Sequence, residues 1–465
     1  MEDLALKSLL SKVAEVLTAG KEGEALSNED NYIAWCSPGL SFQKESLQFA
    51  QKLMGEDGDQ VRKSTQDAFE FARVVNSIPS LNAINTFEQK SSMVWDIYEQ
   101  VLNQSKVPNT NLTKEEEKKI KDLRKKITVE KEILTYDSDA NEITKQVFVD
   151  TPFTTLYKSH KKAYQNALRA YNSKRINAMY SDKSEVVLDF SLNGVSYQDD
   201  VDQAMDDWVS NGCKNEYEQI VALIDNLGRK SMDKYKQDLH ATLKRAELNN
   251  VNGESFYLTT FYPSNFMNIE EGWTQMSFDS KSLEKGSKET HQSVSGSTGI
   301  KIGLWSFGAS GGYDKATEEG YVEGNDLEIK FKINQVILGR PWFNPDFLIS
   351  GSWDWSVPGK NLLSDGASTP KGLMPAYATT AVFIKDIKIT SASLMNKFKA
   401  TEEKIKGGGS FGWGPFSIGA NYSKDNKQEQ SNYETNGNTI EIKGMQLIAL
   451  KCATLPKCPN PNCEF

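Results

Sequence analysis

The chain has 465 residues, 38% of them hydrophobic and 25% charged, with a formal net charge of −9. That length fills two to three domains with real cores, and the balance is that of a folded chain rather than a disordered one. The acidic excess excludes the basic footprint of a nucleic-acid binder. It also removes bulk attraction to anionic lipid, so any membrane contact has to be apolar or receptor-led.

The first twenty residues carry Glu2 and Asp3 where a signal peptide needs positive charge, and their apolar residues follow helical spacing (Leu6, Leu9, Leu10, Val13, Leu17). They read as an amphipathic helix of a protein made in the cytoplasm, with any release by a signal-less route. Helical periodicity continues to about residue 250. A helix over 67–77 stops before Pro79, and a second over 83–102 lines up Ile84, Phe87, Val94, Trp95, Tyr98 and Val101. Thr113 and Glu116 form a capping box for KEEEKKIKDLRKKI, whose interleaved lysines and glutamates read as a solvated face around Ile120, Leu123 and Ile127. Two longer helices are expected over 156–180, with Tyr157, Tyr164 and Tyr171 seven apart as a packing seam, and over 217–243. Between them SEVVLDFSL reads as a short strand.

At NNVNGES, residues 249–255, the character changes and marks a domain boundary. Six of the nine tryptophans lie beyond it. Strands are expected over 256–262, 299–313, 327–338, 380–390, 411–422 and 440–450. The phase slip between Ile384 and Ile387 suits a bulge. Residues 339–359 read as an ordered aromatic loop. The predicted fold is therefore α+β: an α-helical bundle over 1–250, followed over 251–465 by a β-rich, sandwich-like domain.

One stretch in this half recurs. IGLWSFGASGGYDK (302–315) aligns without a gap with FGWGPFSIGANYSK (411–424), and the strands LEIK and IEIK follow each copy. Phe307, Ala309, Gly311 and Tyr313 alternate with Gly308, Ser310 and Gly312; Phe416, Ile418, Ala420 and Tyr422 alternate with Ser417, Gly419 and Asn421. Period two means strand. The duplicated hairpins span about 297–338 and 407–450, each preceded by a charged, helix-competent run.

Catalytic and metal motifs are lacking. The glycines sit in alternation rather than between strand and helix, so neither a P-loop nor a dinucleotide fingerprint is present. The three histidines, His160, His240 and His291, stand apart from the cysteines. Cys452, Cys458 and Cys463 have spacings unsuited to zinc and read as a reduced tail. Asp137, Asp139 and Asn141 open a calcium-like loop, but Glu142 replaces its glycine and Phe148 its closing Glu. No metal, cofactor or enzymatic activity is expected.

A strand with aromatics on one face and Ser/Gly on the other is what a membrane hairpin needs. Trp305, Phe307, Tyr313, Trp413, Phe416, Ile418 and Tyr422 are the membrane-facing candidates, with Ser306, Ser310, Ser417, Asn421 and Ser423 toward water. Amphipathic hairpins with charged helical flanks are similar in layout to pore-formers whose hairpins unfurl from helices. The function expected is that of a non-enzymatic, membrane-active effector that meets a lipid membrane or membrane receptor and self-associates. The alternative is a soluble scaffold or a cargo component of a larger assembly, with Trp342, Phe343, Trp353 and Trp355 as interface anchors.

Overall fold

The computed structural model describes residues 4–18, 31–51, 58–79, 92–108, 113–136, 142–180, 184–228, 232–283, 301–307, 317–323, 325–357, 359–406, 409–418 and 433–462. In chain order these form α1 (Leu4–Thr18), β1 (Asn31–Phe42), α2 (Gly58–Asn76), α3 (Val94–Gln104), β2 (Ser105–Lys106), α4 (Lys114–Ile127), β3 (Thr128–Tyr136) and β4 (Glu142–Asp150). Four helices follow: α5 (Pro152–Tyr180), α6 (Ser184–Ser210), α7 (Lys214–Gly228) and α8 (Met232–Arg245). Then come β5 (Glu247–Asn249), β6 (Ser255–Tyr257), β7 (Thr260–Tyr262), β8 (Thr274–Asp279), β9 (Lys301–Phe307), β10 (Thr317–Glu323) and β11 (Glu328–Gly339). The chain ends through α9 (Pro345–Ile349), β12 (Asp354–Trp355), β13 (Ala376–Thr390), α10 (Ala392–Lys406), β14 (Ser410–Trp413), β15 (Phe416–Ile418), β16 (Tyr433–Asn436) and β17 (Thr439–Thr454).

The protein is α+β, and its main sheet is antiparallel. Strand order is β1-β17-β13-β11-β7, with β8 also on β11 and β16 on β17. Period two on β13 divides the apolar residues between two cores. Ala381 and Phe383 join the core built with α2, α3 and α8, while Val382 and Ile384 join the core roofed by α1 and α10. The phase slip is a bulge: register breaks between Lys385 and Ile387, and Asp386 sits at φ 54°. Register also breaks on β11 between Lys330 and Lys332 and on β17 between Ile442 and Met445, beside Gly444 at φ 82°. Three adjacent strands are thus bulged at one level, which bends and twists the sheet there.

Several expectations change. SEVVLDFSL is not a strand but the start of α6, because Phe190 packs on Tyr171 of α5 at 6.0 Å and draws the segment into a helical hairpin. The seam tyrosines meet α6 as well, Tyr157 and Tyr164 lying 5.4 and 5.8 Å from Trp208. The segment expected as one helix over 217–243 is described as α7 and α8. The boundary at 250 is crossed: β1 pairs with β17, and α2, α3 and α8 share a core with β13 and β17. NNVNGES is the turn of the β5–β6 hairpin. The capping box is formed, Glu116 N donating to Thr113 Oγ1 at 3.3 Å and Thr113 N to Glu116 Oε2 at 3.1 Å. Asp137, Asp139 and Asn141 lie outside the described residues.

Candidate functional site: two insertions on one row of the sheet

The end of the sheet beyond the bulges brings four strand termini into a single row. Asp279, the last residue of β8, pairs with Glu328, the first of β11. Glu328 pairs with Thr390, the last of β13, and Thr390 pairs with Thr439, the first of β17. The chain therefore leaves this row twice and returns to it twice. The two excursions, residues 280–327 and 391–438, are 48 residues each. Both open on Ser-x-Ser-Leu (Ser280 to Leu283 and Ser391 to Leu394), and each carries one copy of the repeated stretch.

The row is latched by short polar contacts. Ser282 N donates to Asp279 Oδ1 at 2.8 Å. Ser280 Oγ donates to Asn325 O at 2.8 Å, and Ser280 N to Leu327 O at 2.9 Å. Asp326, at the end of the first excursion, accepts from Ser391 Oγ at 2.8 Å and from Ala392 N at 2.6 Å at the start of the second. One carboxylate thus joins the two excursions and satisfies the first turn of α10, where negative charge is favoured. Helix α1 closes the arrangement from above: Lys12 Nζ donates to Ser282 O, and its apolar side (Leu9, Leu10, Val13, Leu17) enters the same core.

The two repeat copies meet in a second, four-stranded sheet, β10-β9-β14-β15. β9 and β14 pair antiparallel, with Leu304 opposite Trp413. The sequence alignment also sets Leu304 against Trp413, so each lies opposite its own counterpart and a local two-fold relation passes between them. The relation ends at Gly414, whose φ of 51° turns the second copy back as β15. Trp305 and Phe307 are paired positions on β9; Tyr313 and Tyr422 lie outside the described residues. Trp413, Phe416 and Ile418 are buried, Phe416 stacking on Trp413 and meeting Phe331 of the main sheet, both at 5.7 Å. In this fold they are core.

Ser417 does not face water, as its alternation suggested. It is buried and donates through Oγ to Gly39 O at 2.8 Å. Its backbone exchanges two bonds with the Gln446 side chain, at 3.2 and 2.6 Å. Gly39 N donates to Pro415 O at 2.9 Å. The polar side of the hairpin is thus seated on a hydrogen-bonding cradle of β1 and β17 while its aromatic side is seated in the core. Comparison with protein-family models, curated proteins and solved structures returns no match.

Two further features bear on how this end is held. α5 crosses β8 and β11 through a buried polar layer. Lys162 Nζ donates to Asn334 Oδ1 at 2.8 Å, and Arg169 Nη2 donates to Asn166, while Arg169 Nη1 has no partner among the described residues. Burial lowers Arg169 to about 9, and burial followed by the charge of Arg169 pulls Lys162 well below its usual value. Beside the bulges, exposed Glu270 accepts from Lys385 at 2.7 Å and Lys332 at 2.9 Å, and these hydrogen bonds hold its carboxyl down at about 2.

Chemistry elsewhere is sparse. Among the described residues no cluster of His, Cys, Asp or Glu could hold a metal, and no helix is long and apolar enough to cross a membrane. Burial pushes the thiols of Cys36, Cys452 and Cys458 up to about 12, which keeps them protonated; Cys463 lies outside the described residues. An open depression of about 320 Å³ is lined by Tyr157, Tyr217, Glu218, Val221, Ala222 and Asp346, which include no pairing of a nucleophile with a base. The loop aromatics proposed as interface anchors are placed inward. Trp342, Trp353 and Trp355 are buried, with their indole N–H groups on Leu258 O, Leu348 O and Asn361 O, and half-buried Phe343 packs on Tyr98 and Tyr377.

Proposed function

We propose that this is a non-enzymatic, membrane-active protein of the pore-forming kind, in which residues 280–327 and 391–438 leave the small sheet and extend the main sheet as two amphipathic hairpins. The observation that carries the reading is the common row: two excursions of equal length spring from Asp279–Glu328 and Thr390–Thr439. Straightening them lengthens β8, β11, β13 and β17 in place, without changing their order or register.

The lengths suffice. Each arm of a 48-residue hairpin has about 24 residues and reaches roughly 80 Å at about 3.3 Å per residue, against a hydrocarbon core of about 30 Å. In the extended arms Trp305, Phe307 and Tyr313 alternate with small and polar residues, as do Phe416, Ile418 and Tyr422, which gives a lipid side and a water side. Two hairpins leave open edges that hydrocarbon does not tolerate, so several copies have to close a barrel together. The net charge of −9 directs the first contact to apolar lipid or a membrane receptor rather than to anionic headgroups.

The test is dye release from phosphatidylcholine vesicles and from phosphatidylcholine–phosphatidylserine vesicles across pH, with electron microscopy and amide exchange on the same samples. Release with rings or arcs, and lost protection at 301–307 and 410–418, is the expected result. Intact vesicles, with both segments as protected as in buffer, would overturn the proposal.

A further inference from the structure

Helices α4 and α6 each pack against both α5 and α7, which lie between them, so they form opposite flanks of the helical layer. Their outward stripes are complementary. On α4, Lys114, Lys118, Lys121 and Lys125 recur at spacings of four, three and four, which places them on one side of the helix, and all four are exposed. The buried Ile120 and Leu123 occupy the other side. Among the described residues none of these lysines forms an ion pair with a carboxylate. On α6 the stripe opposite Phe190 and Trp208 reads Leu188, Leu192, Val195, Asp199, Asp202 and Asp206. It is apolar in its first half and acidic in its second. Leu188, Leu192 and Val195 are 58%, 71% and 76% exposed, and the three aspartates are exposed and make no ion pair among the described residues.

We infer that the partner of each stripe is the other stripe on a second copy of this chain, the acidic half of α6 docking along the lysines of α4. The dimensions agree: the lysines span about 16 Å and the aspartates about 10 Å at 1.5 Å per residue. With the two helices antiparallel, the apolar half of α6 runs on past the C-terminal end of α4. There the chain enters β3, where Val129 and Leu134 are exposed. Exposed apolar residues then meet exposed apolar residues while charge meets opposite charge. Because the two surfaces differ and lie on opposite flanks, the contact is heterologous and propagates, closing into a ring where the rotation allows. This inference stands apart from the membrane reading; where that reading holds, it supplies the contact that lines hairpins of successive copies side by side.

The test is sedimentation velocity of the full chain in about 20 mM and about 500 mM salt, since screening at the higher strength removes most of an exposed charge contact. Two charge-swapped variants accompany the wild type: K118E/K121E/K125E and D199K/D202K/D206K, all at exposed positions, with circular dichroism to show the fold retained. The wild type is expected to associate at low salt and to dissociate at high salt. Each variant alone should weaken association by at least about tenfold, since like charges then face each other. Mixing the two variants restores both contacts and should restore association. A wild type that stays monomeric at low salt and high concentration would overturn the inference, as would a variant that associates as well as the wild type. Salt-sensitive binding of monomeric wild type to phosphatidylserine vesicles, lost in the lysine variant, would overturn it by assigning the α4 stripe to lipid. Association without dye release would leave the contact standing and count against the pore alone.

Discussion

Gly39 is the point at which a single methyl group should loosen the hairpin of the second excursion. A Cβ placed there would stand 2.2 Å from Pro415 O and 3.3 Å from Gln446 Oε1. The first atom belongs to the backbone and has no rotamer to escape by, so β14–β15 would have to retreat by about 1 Å to regain a normal contact. That retreat breaks the 2.9 Å bond from Gly39 N to Pro415 O and the 2.8 Å bond from Ser417 Oγ to Gly39 O. Overpacking of this kind costs about 1–3 kcal/mol and each lost neutral hydrogen bond about 1 kcal/mol, giving roughly 3 kcal/mol against the seated hairpin. If seating holds the protein closed, Gly39→Ala should open it up to about 100-fold more readily, at about 1.4 kcal/mol per tenfold. The assay is the initial rate of dye release, with amide exchange at 410–418 in buffer. Faster exchange and faster release together are expected. Unchanged exchange would refute the steric reasoning. Faster exchange with unchanged release would show that undocking this hairpin does not limit opening.

Three further outcomes are expected. Asp326→Ala removes the carboxylate shared by Ser391 Oγ and Ala392 N and should cost about 2 kcal/mol in urea unfolding, with faster exchange at the start of α10; equal stability would mean that the latch is idle. Glu270→Gln should lower stability at pH 7 by no more than about 1 kcal/mol, because the carboxylate is exposed and screened. The folded carboxyl lies at about 2, below its usual 4.5, so the pair stabilises the fold above 4.5 and loses that contribution as pH falls toward 2. The gap between wild type and variant should close across that window, and a gap constant from pH 7 to 2 would remove Glu270 from the account. Lys162→Met should flatten the pH dependence of unfolding on the alkaline side. Lys162 is lowered from 10.5 by burial, so between its lowered value and 10.5 the unfolded chain binds a proton that the folded chain does not, and wild-type stability rises with pH there. The slopes should differ by up to about 1.4 kcal/mol per pH unit. Parallel curves would show that Lys162 does not titrate with folding.

What could be read from the sequence was whatever a local period carries. The alternation around Phe416 and around Ile387, the bulge between Ile384 and Ile387, and the Thr113–Glu116 box all depend on residues within a few positions of one another. β1 was missed because Pro38 and Gly39 interrupt its alternation where register jumps from Trp35 to Leu40, and that irregular piece is what receives Pro415. β3 was missed because charges alternate through its first half, Glu130 and Glu132 against Lys131, so the sequence there shows no apolar period of two. SEVVLDFSL misled because a short apolar run looks alike in a strand and a helix; the contact of Phe190 with Tyr171, outside the window, decides between them. The buried state of Ser417 was likewise invisible, since its partners Gly39 and Gln446 come from distant parts of the chain.

The duplication itself was legible as a sequence match, but its meaning lies in the pairing. In the main sheet the two repeated strands, β11 and β17, flank β13, and Ile329, Ile389 and Ile440 form one row across them. In the small sheet the repeated stretches pair with each other about Leu304 and Trp413. A duplicated unit of strand, excursion and strand need not place both copies of the excursion in one sheet, nor return both to a common row; two independent hairpins would satisfy the same sequence. Here each excursion occupies the other's edge, so neither keeps its place if the other leaves. Undocking should therefore be cooperative. Cross-linking β9 to β14 through Ser306→Cys and Phe411→Cys, which are paired positions, should suppress exchange at 301–307 and 410–418 together, and reduction should release both. Independent loss of protection at one copy while the other stays protected would refute the coupling.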